Sequence, residues 1–521
     1  MRRSFKLSAN KVLGVAIATA VFGAAGPVVA KPDTTRVIVS MKSGQGVNGR
    51  AALRAAGAVV KQEIHGMDAV AIEVPTVALR GLENNPHFEY VEEDLVRHAF
   101  ATTSPSTGTP YTSGQLVPYG IKMVQADLLS DVNTGNRKVC IIDSGYDLAH
   151  EDLSGNAVAG DNDSGTGLWS TDENHHGTHV AGTIAAINNT NFGVVGVNSN
   201  KLLKLHIIKV FGAAGWAYSS TLASAANKCG TAGANIISMS LGGGRSNRTE
   251  MRAFDSLASK GVLSIAAAGN DGTTAVSYPA GYASVMSVGA LDENKAWATF
   301  SQYNSKVEIS APGVAVLSTV PMGSGSKSAL TVGGTTYTPG DMDGSIKATV
   351  TAPLANFGLG DVVTAGSMTG KVCLVARGTI DFATKVTNCK ASGGVAAIIY
   401  NNVAGAFGGT MGTTVATIPS VTATDVDGAA MTGQAGQLAT VAVTPNSYAF
   451  FDGTSMATPH VSAVAALVWS YFPTCTGAQI RTTLGLSAQD LGTVGRDTKF
   501  GFGLVQARAA HDRIALKGCG K

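Results

Sequence analysis

Five short runs in this chain are largely apolar: Val139–Ile142, Leu205–Val210, Ile236–Met239, Leu263–Ala267 and Ser284–Val288. Apolar runs of that length without polar alternation are strands covered on both faces, which occur in parallel sheets flanked by helices. Ala-rich stretches between them, notably Thr221–Asn227 and Thr249–Lys260, supply helices. From Gln115 onward the alternation therefore predicts an α/β core around a parallel sheet.

The chain has 521 residues, more than a single hydrophobic core of up to roughly 300 residues can organise, so further units are expected. Residues 1–30 read as an export signal: basic Arg2, Arg3 and Lys6, an apolar run from Val12 to Ala25, and small residues up to Ala30, after which cleavage is expected. The apolar run falls short of the roughly 20 residues of a membrane span. Residues 31–100 follow with a β-α-β-β-α-β order: strands Arg36–Met41, Val59–Ile64, Ala69–Val74 and Phe88–Val91, helices Gly49–Ala56 and Thr76–Leu82. Residues 101–114, rich in Ser, Thr, Gly and Pro, read as an exposed linker open to proteolysis. The α/β alternation covers 115–320, breaks over 321–447 into short β-rich segments around the helix Phe382–Lys390, and resumes over 448–521 with a helix from Ser455 to Tyr471.

Only 14% of residues are charged and the net charge is +3. No basic stripe interleaved with aromatics is present, so nucleic acid is excluded as a partner, and no later stretch resembles a membrane span. In an exported chain, six cysteines read as disulfides before metal or redox chemistry. Spacing alone leaves many pairings open. Pairing each cysteine with one in the same inferred unit favours Cys373 with Cys389, Cys475 with Cys519, and Cys140 with Cys229, without fixing the last two among the four cysteines of the α/β unit.

Three segments carry nucleophilic chemistry. Asp143 ends an apolar strand, at the carboxyl edge where open α/β sheets build their sites. His176 opens His176-Gly177-Thr178-His179-Val180-Ala181-Gly182-Thr183, after which Val180, Ile184 and Ile187 recur on one helical face. Ser455 stands in Gly453-Thr454-Ser455-Met456-Ala457-Thr458-Pro459-His460, where a Gly-Thr turn enters a helix whose positive end lies behind the serine. Singly, each has a plainer reading: Asp143 as a turn or cap, Ser455 as an N-cap, Asn270 beside Gly269 as a turn residue, His179 as a buried structural histidine and His175 as a loop residue. Together they supply the alcohol, imidazole and carboxylate that peptide hydrolysis by serine requires.

These segments, in the order Asp, His, Ser, resemble the motifs of the subtilisin-like serine proteases (peptidase S8), an order long known for that family. Ala267-Ala268-Gly269-Asn270 is similar to the family's oxyanion segment, with the Asn270 amide as donor. The resemblance implies a secreted serine endopeptidase: Ser455 as nucleophile forming an acyl-enzyme, His176 as base, Asp143 orienting the imidazole. It implies substrate contacts at Ser240, Leu241, Gly242, Gly243 and Ala267, with Ser277 near the floor of a roomy, uncharged pocket. It also implies a structural calcium site from Gln115, Asp152, Ile187, Asn189, Asn191 and Val194, oxygen donors that suit a hard cation. Residues 31–100 resemble the family's inhibitory I9-type pro-domain, so autocleavage is expected between His98 and Gly114. The insertion resembles a protease-associated domain, with Cys373-Leu374-Val375-Ala376-Arg377-Gly378 as its matching stretch. Expected partners are polypeptide substrates and the chain's own pro-domain, in a monomer. Two other functions remain: a catalytically silent peptide-binding homologue, and an esterase, which the missing Gly-x-Ser-x-Gly elbow argues against.

Overall fold

The structure is a computed structural model that describes residues 33–104, 115–189, 192–412 and 414–521. The expected signal lies outside these residues, as does most of the linker. Among the described residues no helix is long and apolar enough to cross a membrane.

The central sheet has seven strands, all paired in parallel, in the order Val307–Pro312, Val285–Leu291, Leu263–Ala267, Ile236–Met239, Lys138–Asp143, Lys204–Lys209 and Ala157–Asn162. The five inner strands are the apolar runs. The two edge strands have no such signature: Ala157–Asn162 alternates exposed and half-buried positions, and Val307–Pro312 carries Glu308 and ends on a proline. An edge strand faces solvent on one side, so it escapes a search for continuous apolarity.

Connections run both ways from Lys138–Asp143, and that reversal opens a crevice at the carboxyl end of the sheet. Two helices converge there. The histidine helix, His176–Ala185, is buried along its whole length, and the serine helix, Thr454–Tyr471, is buried from Thr454 to Ser470. Both sit in one apolar core with Val180, Ile184, Met456, Val461 and Val464. Pro459 lies in the serine helix's second turn, where few intrahelical bonds are lost.

Residues 34–93 form a four-stranded antiparallel sheet, ordered Val59–Glu63, Ala69–Pro75, Thr34–Met41, Phe88–Glu93, with helices Gly46–Ala55 and Leu79–Glu83. It docks on the α/β core through the N-termini of helices Ser219–Thr231 and Arg248–Ser259. Asp94 accepts from Ser220 N at 2.9 Å, and Glu92 accepts from Arg248 N and Thr249 N, each at 2.8 Å. These carboxylates satisfy donors that a helix start leaves unpaired and sit at its positive end. Ile38, Ile64 and Ala69 fill the apolar contact with Ala223 and Ala253.

The insertion is a separate seven-stranded mixed sheet running from Gly325–Val332 to Leu438–Asn446, with its own cores. The described residues hold three disulfides: Cys140–Cys229, Cys373–Cys389 and Cys475–Cys519.

Candidate active site

Asp143 is fully buried at the end of its strand. Its Oδ1 accepts from Ser144 N at 2.7 Å and from His176 Nδ1 at 2.7 Å. This bond fixes the imidazole's tautomer, leaving Nε2 as the basic nitrogen. Among the described residues neither Asp143 Oδ2 nor His176 Nε2 has a hydrogen-bond partner. Burial opposes the imidazolium, but the Asp143 carboxylate outweighs it and raises the His176 pKa above the ordinary value.

His176 is aimed by a second buried carboxylate. Asp172 accepts from His175 N (2.9 Å), Thr178 N (2.8 Å), Thr178 Oγ1 (2.7 Å) and Ser144 Oγ (2.8 Å), and Ser144 Oγ in turn accepts from Gly177 N (2.8 Å). A Cβ on Gly177 would stand 2.3 Å from Gly145 O, so the backbone approach that sets Asp143 against His176 requires glycine there.

Ser455 is the second residue of the serine helix and fully buried. Its Oγ donates to Ser240 O at 2.9 Å, and Ser240 Oγ donates back to Ser455 O at 2.7 Å. Asn270 is held by its carbonyl: Oδ1 accepts from Thr454 N at 2.9 Å and Thr454 Oγ1 at 2.8 Å, so Nδ2 faces the cleft. There it donates to the carbonyl of Phe100 at 3.1 Å.

The chain itself fills this cleft. The tail strand, Val96–Ala99, lies between Trp216–Tyr218 and Leu241–Gly242, antiparallel to both, with Arg97 opposite Ala217 and Ala99 opposite Leu241. Phe100 N donates to Ser240 O at 3.4 Å. The Phe100 ring lies over Gly242, where an added Cβ would be 2.7 Å from Phe100 Cε2 and 2.5 Å from Ser277 Oγ. Gly243 bridges to Tyr278, and Ala267 is buried at the end of its strand. Beyond Ala101, Thr102–Thr103 pairs with Phe451 and Asp452, and Ser104 N donates to Phe450 O at 2.8 Å. The first residues of the expected linker are thus a short paired strand. The cleft continues from there to Asp341, Met342 and Phe382 of the insertion.

The residues expected to hold calcium converge in one loop cluster. Gln115 Nε2 lies 2.6 Å from Ile187 O and 2.9 Å from Val194 O, and Gln115 Oε1 accepts from Asn189 N at 2.8 Å. Asp152 accepts from Val194 N at 2.7 Å and from Asn189 Nδ2. Burial pushes the Asp152 carboxyl up, a cost that a neighbouring cation would offset. Two carbonyls and an amide gathered at Gln115, with the Asp152 carboxylate joined to them through Val194 N and Asn189 Nδ2, are groups of the kind that fit a hard cation. Asn191 lies outside the described residues.

Sequence reading did not single out Thr454, Asp172 or Phe100. Thr454 orients an amide through folding alone; Asp172 lies in a polar loop without pattern. Phe100 was detectable as an aromatic at the boundary between the compact unit and the Ser/Thr-rich segment.

The subtilase family model matches residues 135–349 and 314–503. The alkaline protease of Alkalihalobacillus alcalophilus is 40% identical over 262 residues, which is 50% of this chain and 64% of that protein. Subtilisin E of Bacillus subtilis is 36% identical over 273 residues, 51% of this chain and 67% of that protein. The psychrophilic subtilisin-like protease Apa1 from the Antarctic psychrotroph Pseudoalteromonas sp. AS-11 aligns over 79% of this chain and 100% of its own at a TM-score of 0.60 and 43% identity. The chain thus spans somewhat less than two thirds of the alkaline protease it matches. With the matched segments running through Asp143, His176, Asn270 and Ser455, this chain belongs to the subtilase family.

Proposed function

We propose that the chain is an exported serine endopeptidase, made as a zymogen that cleaves its own Phe100–Ala101 bond. The observation that carries the reading is the seating of Phe100. Its carbonyl is bonded to Asn270 Nδ2, its ring covers Gly242, and backbone pairing holds the chain on both sides of the bond. Donors 2.7–3.1 Å or so from a carbonyl oxygen are where an oxyanion would be stabilised.

In this mechanism Ser455 Oγ turns from Ser240 O towards His176, gives up its proton to Nε2 and attacks the carbonyl carbon. Asp143 holds the imidazole and stabilises its cation, and the proton then passes to the leaving amine. Asn270 Nδ2 and the Ser455 N–H carry the oxyanion, and water releases the acyl group from Ser455. The tail strand remains as a product that blocks the cleft until the unit 33–100 departs. Calcium, held by Gln115, Asp152, Ile187, Asn189 and Val194 with a contribution from Asn191, would cross-link the loop beside the histidine helix. The insertion, lining the cleft past Ser104, would place the part of a substrate that follows the bond.

The test is to express the full chain and its Ser455→Ala variant, then sequence the N-termini. The reading expects a mature chain beginning at Ala101, label from a sulfonyl fluoride on Ser455, and hydrolysis of casein. All three are absent in Ser455→Ala. Folded wild-type protein without label and without caseinolysis would overturn it.

A further inference from the structure

Arg97 occupies the fourth position before the Phe100–Ala101 bond and is 1% exposed, between Val96 and His98, which both face solvent. An arginine is rarely buried unless it is paired, and this one enters a fitted pocket. Its Nε donates to Glu250 Oε1 at 3.0 Å and its Nη2 to Glu250 Oε2 at 2.8 Å, a bidentate fork. Nη2 also donates to Arg245 O at 3.0 Å and Nη1 to Val96 O at 3.2 Å. A Cβ on Gly243 would lie 2.7 Å from the Val96 carbonyl oxygen and 3.1 Å from Nη1, so glycine there lets the tail and its guanidinium approach this closely.

Glu250 is itself fully buried in the first turn of helix Arg248–Ser259, with its N–H capped by Asn247 Oδ1 at 2.9 Å. The Tyr282 hydroxyl donates to Glu250 Oε2 at 2.6 Å, and burial, reinforced by the carboxylate, raises the phenol's pKa and keeps it a donor. The pocket is therefore built around a carboxylate before any guanidinium enters.

We infer that Glu250 forms a substrate subsite selecting arginine at the fourth position before the scissile bond. This rests on the protease reading, because it takes the tail strand as lying in the track substrates will use. Once the tail leaves, the Glu250 carboxylate keeps the Tyr282 hydroxyl among the described residues but loses its countercharge. A substrate bearing a neutral side chain at that position buries an uncompensated charge, and one bearing a carboxylate adds repulsion. Lysine supplies one point charge where arginine supplies a planar fork, so it ranks between arginine and alanine.

The experiment uses purified mature protein and internally quenched peptides that share His-Ala-Phe before the bond and differ only in the preceding residue: Arg, Lys, Ala or Glu. The expected kcat/KM is at least about tenfold higher for Arg than for Ala, from the weaker end of a charged hydrogen bond's contribution, with Glu poorest. In Glu250→Gln, which keeps the shape and the Tyr282 contact, the Arg-to-Ala ratio falls to about threefold or less. Hydrolysis of all peptides by the wild type at similar rates overturns the subsite and leaves the protease reading intact. Hydrolysis of none overturns both. A Glu250→Gln protein that keeps the wild-type ratio also overturns the subsite; should that variant fail to mature, the wild-type ratio decides alone.

Discussion

Gly242 is where the preference for the residue directly before the scissile bond can be altered by one carbon. In Gly242→Ala the new Cβ would stand 2.7 Å from Phe100 Cε2, 2.5 Å from Ser277 Oγ and 3.0 Å from Tyr278 O. Carbon atoms in contact prefer about 3.5–4.0 Å. Ser277 can rotate its hydroxyl away, but the Tyr278 carbonyl is backbone, so the aromatic ring must retreat by about 1 Å. A ring that cannot seat forfeits most of its burial, worth about 1.5–3 kcal/mol, which corresponds to about a 10- to 150-fold fall in kcat/KM. A peptide with alanine before the bond has nothing at the clash and should change by less than about threefold. The assay compares matched Phe and Ala peptides on wild type and variant, with active sites titrated. On the proposed self-cleavage after Phe100, Gly242→Ala should mature slowly, and Phe100→Ala in the same chain should restore maturation. Equal losses on both peptides, or no loss on either, would refute the placement of the aromatic pocket at Gly242.

Asn270→Ala should lower kcat by about 10² to 10³ with little change in KM, since the lost donor acts on the developing oxyanion; a comparable rise in KM would assign Asn270 to ground-state binding. The pH profile follows from His176. The base must be neutral, and Asp143 raises its pKa, so kcat/KM should fall on the acid side through a midpoint above the ordinary histidine value of about 6.5. In Asp143→Asn that midpoint should move down, and the rate by about 10⁴. Calcium at about 100 times its dissociation constant should stabilise the fold by about 2.7 kcal/mol. EDTA should then lower the unfolding midpoint of the wild type and leave that of Asp152→Ala unmoved.

Legibility in the sequence followed burial and chemistry together. The inner strands were readable because both faces are covered, so Val139–Ile142 and Ile236–Met239 contain little but apolar residues; the edge strand Val307–Pro312 had to carry Glu308, which pairs with Arg481, and lost the signature. The triad residues stood out because each lies in a run of small residues needed for close approach, as at Gly177 against Gly145. Glu250 did not stand out. In sequence it is one acid in a charged helix start, Arg248-Thr249-Glu250-Met251-Arg252, and only the fold turns it inward while Arg248 and Arg252 face Glu89. The bond for maturation was confined to a segment but not to a position, because that choice depends on register.

Register links the two pockets. Along an extended strand successive side chains point to opposite faces, so a slip of one residue would expel Arg97 towards solvent and carry a neighbour of Phe100 to Asn270. Arg97 and Phe100 are three residues apart, about 10 Å of extended chain, and the chain reaches both Glu250 and Gly242 in one register only. Loss of the Arg97–Glu250 fork therefore does more than weaken docking: it removes the contact that penalises slippage. Arg97→Ala should yield mature chains whose N-termini scatter over neighbouring bonds, with Ala101 no longer dominant. A single clean terminus at Ala101 in that variant would assign the choice of bond to the aromatic pocket alone.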